Sequence, residues 1–282
     1  MLEIKNVTKK FKKQLVLDDI SFDIKNKEII TLLGANGAGK TTLINCILKL
    51  YKIDSGQIKF DNTDIYKLSS KSYYSDISVV LESSDNVYDY LSGIDNIKYF
   101  MGLSKIKFET YKDNMNSFID LFELKDHIDK KVGNYSRGMQ QKLAIIIALL
   151  SNPKLLILDE PTLGLDIKTK YNMLSILKKI VHERDISILL TTHQMEVVEA
   201  LDSKLMILDK GKIREFGNIK ELMNNYIEYH IKYFDENKKL IEKVIGGKSF
   251  EEIFEEHRLY NIISIDRKEK NIEDVIMEEL YG

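Results

Sequence analysis

The chain has 282 residues, a length that suggests one or two domains with a large buried core. Charged residues make up 30% of it but nearly cancel, to a formal net charge of −2, so no global basic field argues for nucleic acid as a partner. The single cysteine, Cys46, excludes an intramolecular disulfide framework and fits a reducing compartment. No apolar run is long enough to span a bilayer, and the first residues do not form a signal peptide. We therefore expect a soluble, cytoplasmic protein.

The first thirty residues predict antiparallel strands. Apolar and polar residues alternate over residues 2–7 and again over residues 20–24. Between these segments, Phe11 lies in a lysine-rich stretch. Its ring could stack on a purine, but a half-buried hairpin residue is the commoner interpretation from these residues alone.

A glycine-rich loop at residues 34–41 fits the phosphate-binding pattern G-x-x-x-x-G-K-[ST]. An apolar run of strand length precedes the loop, and apolar residues at helical spacing follow it, as the pattern requires. Glycines let backbone N–H groups surround a phosphate chain, and the helix N-terminus adds partial positive charge. Lys40 can reach the β- and γ-phosphates, and the Thr41 hydroxyl can ligate Mg²⁺. The sequence therefore predicts a nucleoside triphosphate site. The predicted contacts in this loop are Gly34, Asn36, Gly37, Gly39, Lys40, Thr41 and Thr42.

The middle of the chain changes from a strand pattern to a helical one. Residues 77–81 form an apolar run, and Glu82 follows it. From about residue 84 to residue 150, apolar and aromatic side chains recur at helical spacing, which we interpret as core packing in a helical insertion. Near its end, Asn134 or Ser136 is expected to cap a helix that begins at about Arg137. A capped helix end can bind an anion, although most such ends bind nothing.

Two adjacent carboxylates, Asp159 and Glu160, end a second apolar run of strand length. Ligands of open α/β sheets bind at the C-terminal ends of strands. Because a strand points consecutive side chains to opposite faces, we expect the two carboxylates to have different roles. Asp159 is predicted to complete a Mg²⁺ site opposite Thr41, and Glu160 to act as a general base on water. Pro161 is expected to stop the strand.

His193 stands at the end of a further apolar run, residues 186–192. This position favours a functional role, since an imidazole there could bind a γ-phosphate oxygen or orient the attacking water. Beyond it, Asp209-Lys-Gly211 is a hairpin signal. The composition shifts after about residue 222. Strand patterns separated by charged helical segments then predict a small α+β appendage over residues 223–282, with no chemistry of its own.

In their order and spacing these motifs resemble those of the nucleotide-binding subunits of ABC transporters. The resemblance covers residues 1 to about 222. Its parts are the Walker A loop at 34–41, the signature at 135–139, Walker B at 155–160, the D-loop at 164–166 and the switch histidine His193. Phe11 matches the aromatic residue of the A-loop, and the resemblance therefore favours the stacking interpretation.

The resemblance implies an α/β fold of the P-loop NTPase type. Its parts would be a parallel sheet core, an N-terminal antiparallel β subdomain, the helical subdomain at about 84–150 and the α+β appendage. ATP and Mg²⁺ would be the cofactors, and ATP hydrolysis would power a separate transmembrane permease. Two subunits would form a head-to-tail dimer, in which Ser136 and Gly138 of one contact the γ-phosphate held by Lys40 of the other. The protein would lie on the inner face of the membrane through its permease, without nucleic acid as a partner.

Three positions depart from the family pattern. The signature reads Tyr-Ser-Arg-Gly-Met where Leu-Ser-Gly-Gly-Gln is common, Phe11 replaces a tyrosine, and Glu82 falls where most members carry a glutamine. A carboxylate at this point would bind metal more strongly but would repel an unshielded phosphate, so Glu82 is a third predicted metal ligand. The same feature resembles bacteriocin-immunity exporters, and residues 272–277 resemble the tails of ABC-2 exporters. Together they predict export of a drug or antimicrobial peptide.

The segment from Glu82 to about Leu91 is expected to dock the permease, with Tyr88, Tyr90 and Leu91 as the candidate contacts. An alternative is an ABC ATPase that acts on nucleic acid or ribosomes. It is disfavoured because only about 120 residues separate the Walker motifs, the chain holds a single cassette and the net charge gives no support. A GTPase switch would carry an N-K-x-D motif, which the sequence lacks.

Overall fold

The computed structural model describes residues 1–82, 86–106, 108–219, 221, 227–235, 238–258, 260–269 and 274–276. The chain divides into two compact units, Met1–Phe216 and Gly217–Gly282. The predicted boundary between residues 222 and 223 lies outside the described residues and stays a prediction. Over the part of the chain that is described, no helix is both long and apolar enough to cross a membrane.

Strands up to residue 218 arise from alternating patterns near the N-terminus and from continuous apolar runs later. They are β1 Leu2–Phe11, β2 Gln14–Ile24, β3 Ile29–Leu33, β4 Ser55–Phe60, β5 Thr63–Asp64, β6 Ile77–Val80, β7 Leu155–Asp159, β8 Ser187–Thr192, β9 Lys204–Asp209 and β10 Lys212–Asn218. The helices of this part are α1 Lys40–Ile47, α2 Ser70–Asp76, α3 Gly93–Leu103, α4 Phe108–Leu121, α5 Arg137–Leu150, α6 Ile167–Glu183 and α7 Met195–Leu201. A short 3₁₀ helix covers Val132–Asn134.

Two sheets organise the first unit. The N-terminal sheet has the order β2-β1-β4-β5, and β1 is antiparallel to both of its neighbours. The central sheet has the order β10-β9-β3-β8-β7-β6, and its strands from β9 to β6 are parallel. The structure confirms the predicted fold class, a parallel core with an antiparallel N-terminal part and several helices.

The central sheet is buried on both faces, which explains why its strands read as continuous apolar runs. In β7, Leu155 and Ile157 pack into the cluster that contains α1 and the N-terminal sheet. The alternate residues Leu156 and Leu158 pack into the cluster built by helices α3 to α6. Each core strand is thus covered on both sides, and its polar C-terminal residues are left at one edge.

Helices α3 and α5 both begin at serine caps. The backbone N–H of Asp95 donates to Ser92 Oγ over 3.1 Å, and that of Met139 donates to Ser136 Oγ over 3.3 Å. Of the two candidates for the α5 cap, Ser136 is therefore correct, because Asn134 belongs to the preceding 3₁₀ helix.

The second unit contains a three-stranded sheet and a helix that precedes the last strand of that sheet. These elements are β11 Ile227–Phe234, β12 Leu240–Gly246, α8 Phe250–His257 and β13 Asn261–Glu269, with the sheet order β12-β11-β13. The sequence predicts charged helical segments between the strands of this unit. That prediction is correct for α8 and wrong for the segment that forms β12. Leu240, Ile241 and Val244 have helical spacing, yet β12 pairs along its whole length with β11. Of the exporter-like tail pattern at residues 272–277, the structure describes only residues 274–276.

Candidate active site

The parallel strands bring the separate sequence motifs to one edge of the central sheet. Gly34 follows β3, Glu82 follows β6, Glu160 follows β7 and His193 follows β8. Because parallel strands have their carboxyl ends on the same side, residues far apart in sequence become neighbours there.

The glycine loop joins β3 to α1 in a conformation that requires Gly39. This residue has φ of +114°, and a Cβ on it would lie 3.0 Å from both Val16 O and Leu17 Cδ2. No side chain caps α1. An uncapped helix N-terminus beside a glycine loop leaves room for an anion in place of the cap.

A cavity of about 260 Å³ opens beside this loop and collects most of the predicted site. Its walls are formed by the loop, the start of α1 and the ends of β6 and β7. The lining residues are Val16, Ala35, Asn36, Gly37, Gly39, Lys40, Thr41, Thr42, Glu82, Asp159 and Glu160.

Lys40 is buried at the centre of the cavity wall. Its Nζ donates to Gly34 O over 2.5 Å and lies 3.8 Å from Glu160 Oε1. Burial lowers the pKa of Lys40, while the negative charges of Glu160, Asp159 and Glu82 oppose that shift. The ammonium is therefore poorly hydrated and close to carboxylates, an arrangement suited to receive a phosphate.

Glu160 lies one residue beyond β7, with φ of +49° in the left-handed region. This corrects the expectation that strand alternation separates Asp159 from Glu160, since both side chains line the same cavity. A left-handed conformation is costly for a residue other than glycine and persists where the surroundings enforce it. Here the Glu160 N–H donates to Thr191 Oγ1 over 3.0 Å.

Thr191 is the residue of this site that sequence reasoning missed. Its hydroxyl accepts from Glu160 N and donates to Asp159 Oδ1 over 2.5 Å, so it holds both acidic residues. The available signal was a pair of polar residues, Thr191 and Thr192, at the end of an apolar run.

His193 contacts the same carboxylate as Lys40. Its Nδ1 lies 2.8 Å from Glu160 Oε1. Since a carboxylate oxygen only accepts, Nδ1 carries the hydrogen of this bond. The second oxygen, Glu160 Oε2, is buried without a hydrogen-bond partner in the described structure. His193 thus holds one carboxylate oxygen of Glu160, and the other oxygen makes no hydrogen bond within the described structure.

Five of the predicted residues do not line the cavity. Gly34 and His193 contact its lining residues Lys40 and Glu160, whereas Phe11, Ser136 and Gly138 lie apart from it. Phe11 is 39% exposed and packs edge to face on Tyr51, with ring centroids 5.1 Å apart. Ser136 and Gly138 lie in the first turn of α5. There a Cβ on Gly138 would come within 2.7 Å of Thr169 Cγ2.

The oxygen donors of this cavity suit a Mg²⁺ ion that is bound together with a nucleotide. Among the described residues, no group of three or more His, Cys, Asp or Glu could hold a metal by itself. Mg²⁺ usually keeps several waters and takes one or two carboxylates together with substrate phosphates. The cavity offers the Thr41 hydroxyl and the carboxylates of Asp159 and Glu82.

A glycine loop between a strand and a helix, with a buried lysine and a carboxylate pair on a nearby parallel strand, defines a P-loop nucleoside triphosphatase. The comparisons narrow this class. The ABC transporter family matches residues 17–163. An ABC transporter ATP-binding protein of Bacillus subtilis, YhcH, is 36% identical over 78% of this chain and 71% of its own length. The methionine import ATP-binding protein of Clostridium acetobutylicum is 32% identical over 80% of this chain and 71% of its own length.

Solved structures agree with the sequence relatives. CbiO1 from Clostridium perfringens, part of the ABC transporter complex CbiONQ, superposes with a TM-score of 0.72 at 27% identity, over 78% of this chain and 89% of CbiO1. The ATP-binding cassette MJ0796, as a dimer bound to ADP and phosphate, gives 0.68 at 25% identity, over 77% of this chain and 98% of its own. The chain belongs to the ABC transporter family, as an ATP-binding and ATP-hydrolysing subunit.

Proposed function

We propose that this chain powers a separate membrane-embedded permease through ATP hydrolysis directed by Glu160. One observation carries the proposal. The Glu160 carboxylate lies 2.8 Å from His193 and 3.8 Å from Lys40, at the C-terminal edge of a parallel sheet. A base oriented by one residue and adjacent to a phosphate-binding cation is the arrangement that water activation requires.

The glycine loop and α1 would bind the triphosphate of ATP. Lys40 leaves the Gly34 carbonyl to contact the β- and γ-phosphates, and the backbone of Gly37 and Gly39 allows their close approach. Phe11 would stack on the adenine from its exposed position at the end of β1. The complete set of proposed nucleotide contacts in this copy is Phe11, Gly34, Asn36, Gly37, Gly39, Lys40, Thr41 and Thr42.

Thr41, Asp159 and Glu82 would hold Mg²⁺, which when bound neutralises phosphate charge. Glu160 then accepts a proton from water at Oε2, the oxygen that has no partner in the described residues. His193 holds Oε1 and fixes the carboxylate in place. Thr191 keeps Asp159 and Glu160 together at the end of the strands.

Ser136 and Gly138 would serve the nucleotide of a second copy. They lie at the N-terminus of α5 and do not line the cavity of their own chain. A helix N-terminus presented to a partner can bind its γ-phosphate. The dimeric state of the MJ0796 cassette supports a head-to-tail dimer for this chain as well.

The proposed docking face for the permease is an aromatic cluster after β6. Tyr88 stacks on Phe100, with ring centroids 5.8 Å apart, and contacts Tyr99 edge to face at 5.1 Å. Tyr90 is 69% exposed, and Leu91 is half-buried beside it. CbiO1, a structural relative, is part of a transporter complex. Such a complex would hold this chain on the cytoplasmic face of the membrane.

Two observations bear on the direction of transport, and they favour opposite directions. Glu82 favours the predicted export of a drug or antimicrobial peptide. The methionine import protein, whose name states a direction, favours import as the second candidate. The nucleic-acid or ribosome alternative gains nothing from the comparisons and is opposed by the formal net charge of −2.

Affinity purification from native membranes tests the proposal. Tagged Glu160→Gln protein, incubated with ATP and Mg²⁺, should recover a polytopic membrane protein, and Lys40→Ala is the nucleotide-binding control. Adding Tyr90→Glu to the Glu160→Gln protein should reduce that recovery if the aromatic cluster docks the partner. Recovery of ribosomes or DNA in place of a membrane protein would overturn the proposal and favour the alternative.

A further inference from the structure

Glu82 belongs to two cavities. It lines the nucleotide cavity, and it also lines a second cavity of about 350 Å³ on its other side. The second cavity lies against the first two turns of α5. Its lining residues are Glu82, Asn86, Val87, Arg137, Gln140, Gln141 and Ala144.

Arg137 supplies the positive charge of the second cavity. It is the first residue of α5 and adjoins Ser136, the cap of that helix. Its guanidinium packs against Gly164, where a Cβ would lie 2.8 Å from the Arg137 Nη1. Within the described residues no ion pair involves Arg137, so its charge is not already committed to another carboxylate.

Glu82 is also without an ion pair among the described residues, but it lies close enough to Lys40 for its charge to oppose the lowering of the lysine pKa by burial. A triphosphate in the neighbouring cavity would bring negative charge towards the Glu82 carboxylate, and a single Mg²⁺ contact would neutralise only part of that repulsion. The second cavity contains the opposite charge of Arg137 and has enough space for the Glu82 carboxylate to approach it.

We propose that Arg137 is the counter-charge of Glu82. When Mg²⁺ and a triphosphate occupy the first cavity, Arg137 binds one oxygen of the Glu82 carboxylate across the second cavity, while the other oxygen stays with the metal. The proposal rests on the nucleotide site described above. It accounts together for two departures from the family pattern, the carboxylate at 82 and the arginine at 137. Arg137 then acts as a positioning residue. When nucleotide is bound, its bond to Glu82 shifts the first turn of α5, which carries Ser136 and Gly138.

A double-mutant cycle on nucleotide affinity tests the pair. All variants carry Glu160→Gln, so that ATP persists, and the dissociation constant for ATP with Mg²⁺ is measured by calorimetry. Arg137→Gln alone is expected to weaken binding about five- to tenfold, because Glu82 is left unshielded beside the phosphates. Combined with Glu82→Gln, the same substitution should change affinity by less than about twofold. The exchanged pair, Glu82→Arg with Arg137→Glu, should bind more tightly than Arg137→Glu alone.

Lys168→Gln is the matched control, since it removes an exposed positive charge from the first turn of α6 and does not line the second cavity. It should leave the affinity unchanged both in the parent, which keeps Glu82, and in the Glu82→Gln background. Equal effects of Arg137→Gln in those two backgrounds would overturn the pairing. Failure of the Glu160→Gln parent itself to bind ATP would instead overturn the proposed function. The thermal unfolding midpoint without nucleotide identifies any variant that is simply misfolded.

Discussion

Lys40 combines burial with three nearby carboxylates, and this fixes how the site should respond to pH. Burial lowers its pKa below the ordinary lysine value of 10.5, against the pull of Glu160, Asp159 and Glu82. In the alkaline range below 10.5 the unfolded chain therefore holds more protons on this group than the folded one. For Lys40 alone, the free energy of unfolding rises with pH through that range.

Nucleotide affinity should change with pH in the opposite sense. The triphosphate requires the charged ammonium, so affinity should fall as the pH is raised from about 7 to about 10. Glu160→Gln removes the largest charge that sustains the ammonium, and the fall should begin at lower pH in that variant. Titration of ATP at several pH values checks this. Superimposable pH profiles for the two proteins would contradict the assigned coupling.

Thr191 should contribute to stability through its buried hydroxyl. Thr191→Val leaves Asp159 Oδ1 and Glu160 N without this buried partner, which should cost about 1–3 kcal/mol of unfolding free energy. Thr191→Ser keeps the hydroxyl and is the matched control. Urea denaturation of the three proteins measures the difference, and a valine variant as stable as the serine variant would show that the bridge is unimportant.

At the scale of single residues, the sequence predicts those that form linear motifs. It misses those whose role depends on contacts between distant parts of the chain. Lys40 and Asp159 are predicted from the sequence because their flanking strand and helix patterns are local, and both residues line the cavity. Thr191 was missed because its role depends on the pairing of β7 with β8, where Asp159 lies opposite Thr191. The left-handed backbone of Glu160 was missed for the same reason, since a strand pattern alone predicts alternation.

At the scale of elements, β7 supports the site by being buried on both faces. Leu158, fully buried one residue before Asp159, should cost about 2–5 kcal/mol when replaced by alanine. Ile167→Ala is the control, because Ile167 is 74% exposed at the start of α6 and should change stability by less than about 0.5 kcal/mol. Thermal or urea unfolding measures both. Equal losses would mean that β7 is not buried on both faces.

The sequence predicts helices and strands correctly where the hydrophobic pattern of a segment agrees with its packing in the fold. The double-sided burial of the central strands gives unbroken apolar runs, which were correctly predicted as strands. In β12 the spacing of Leu240, Ile241 and Val244 favours a helix, and only pairing with β11 decides for a strand. Tertiary context overrides local propensity there, so the pattern of that segment alone does not predict its structure.

At the scale of the whole molecule, the geometry leaves Ser136 and Gly138 apart from the cavity of their own chain. We therefore expect ATP to join two copies. Glu160→Gln protein with ATP and Mg²⁺ should elute as a dimer in size-exclusion chromatography, and as a monomer without nucleotide. Adding Lys40→Ala, which removes the phosphate contact, should abolish the dimer. A Glu160→Gln protein that stays monomeric with bound ATP would contradict the head-to-tail proposal.

The central claim is that Glu160 activates water in an ATP-hydrolysing subunit, and steady-state ATP turnover tests it most directly. Glu160→Gln should bind ATP yet lower turnover by about two to four orders of magnitude, the usual contribution of a general base. A variant that binds ATP and turns it over at a near-normal rate would contradict the account and remove Glu160 from that role.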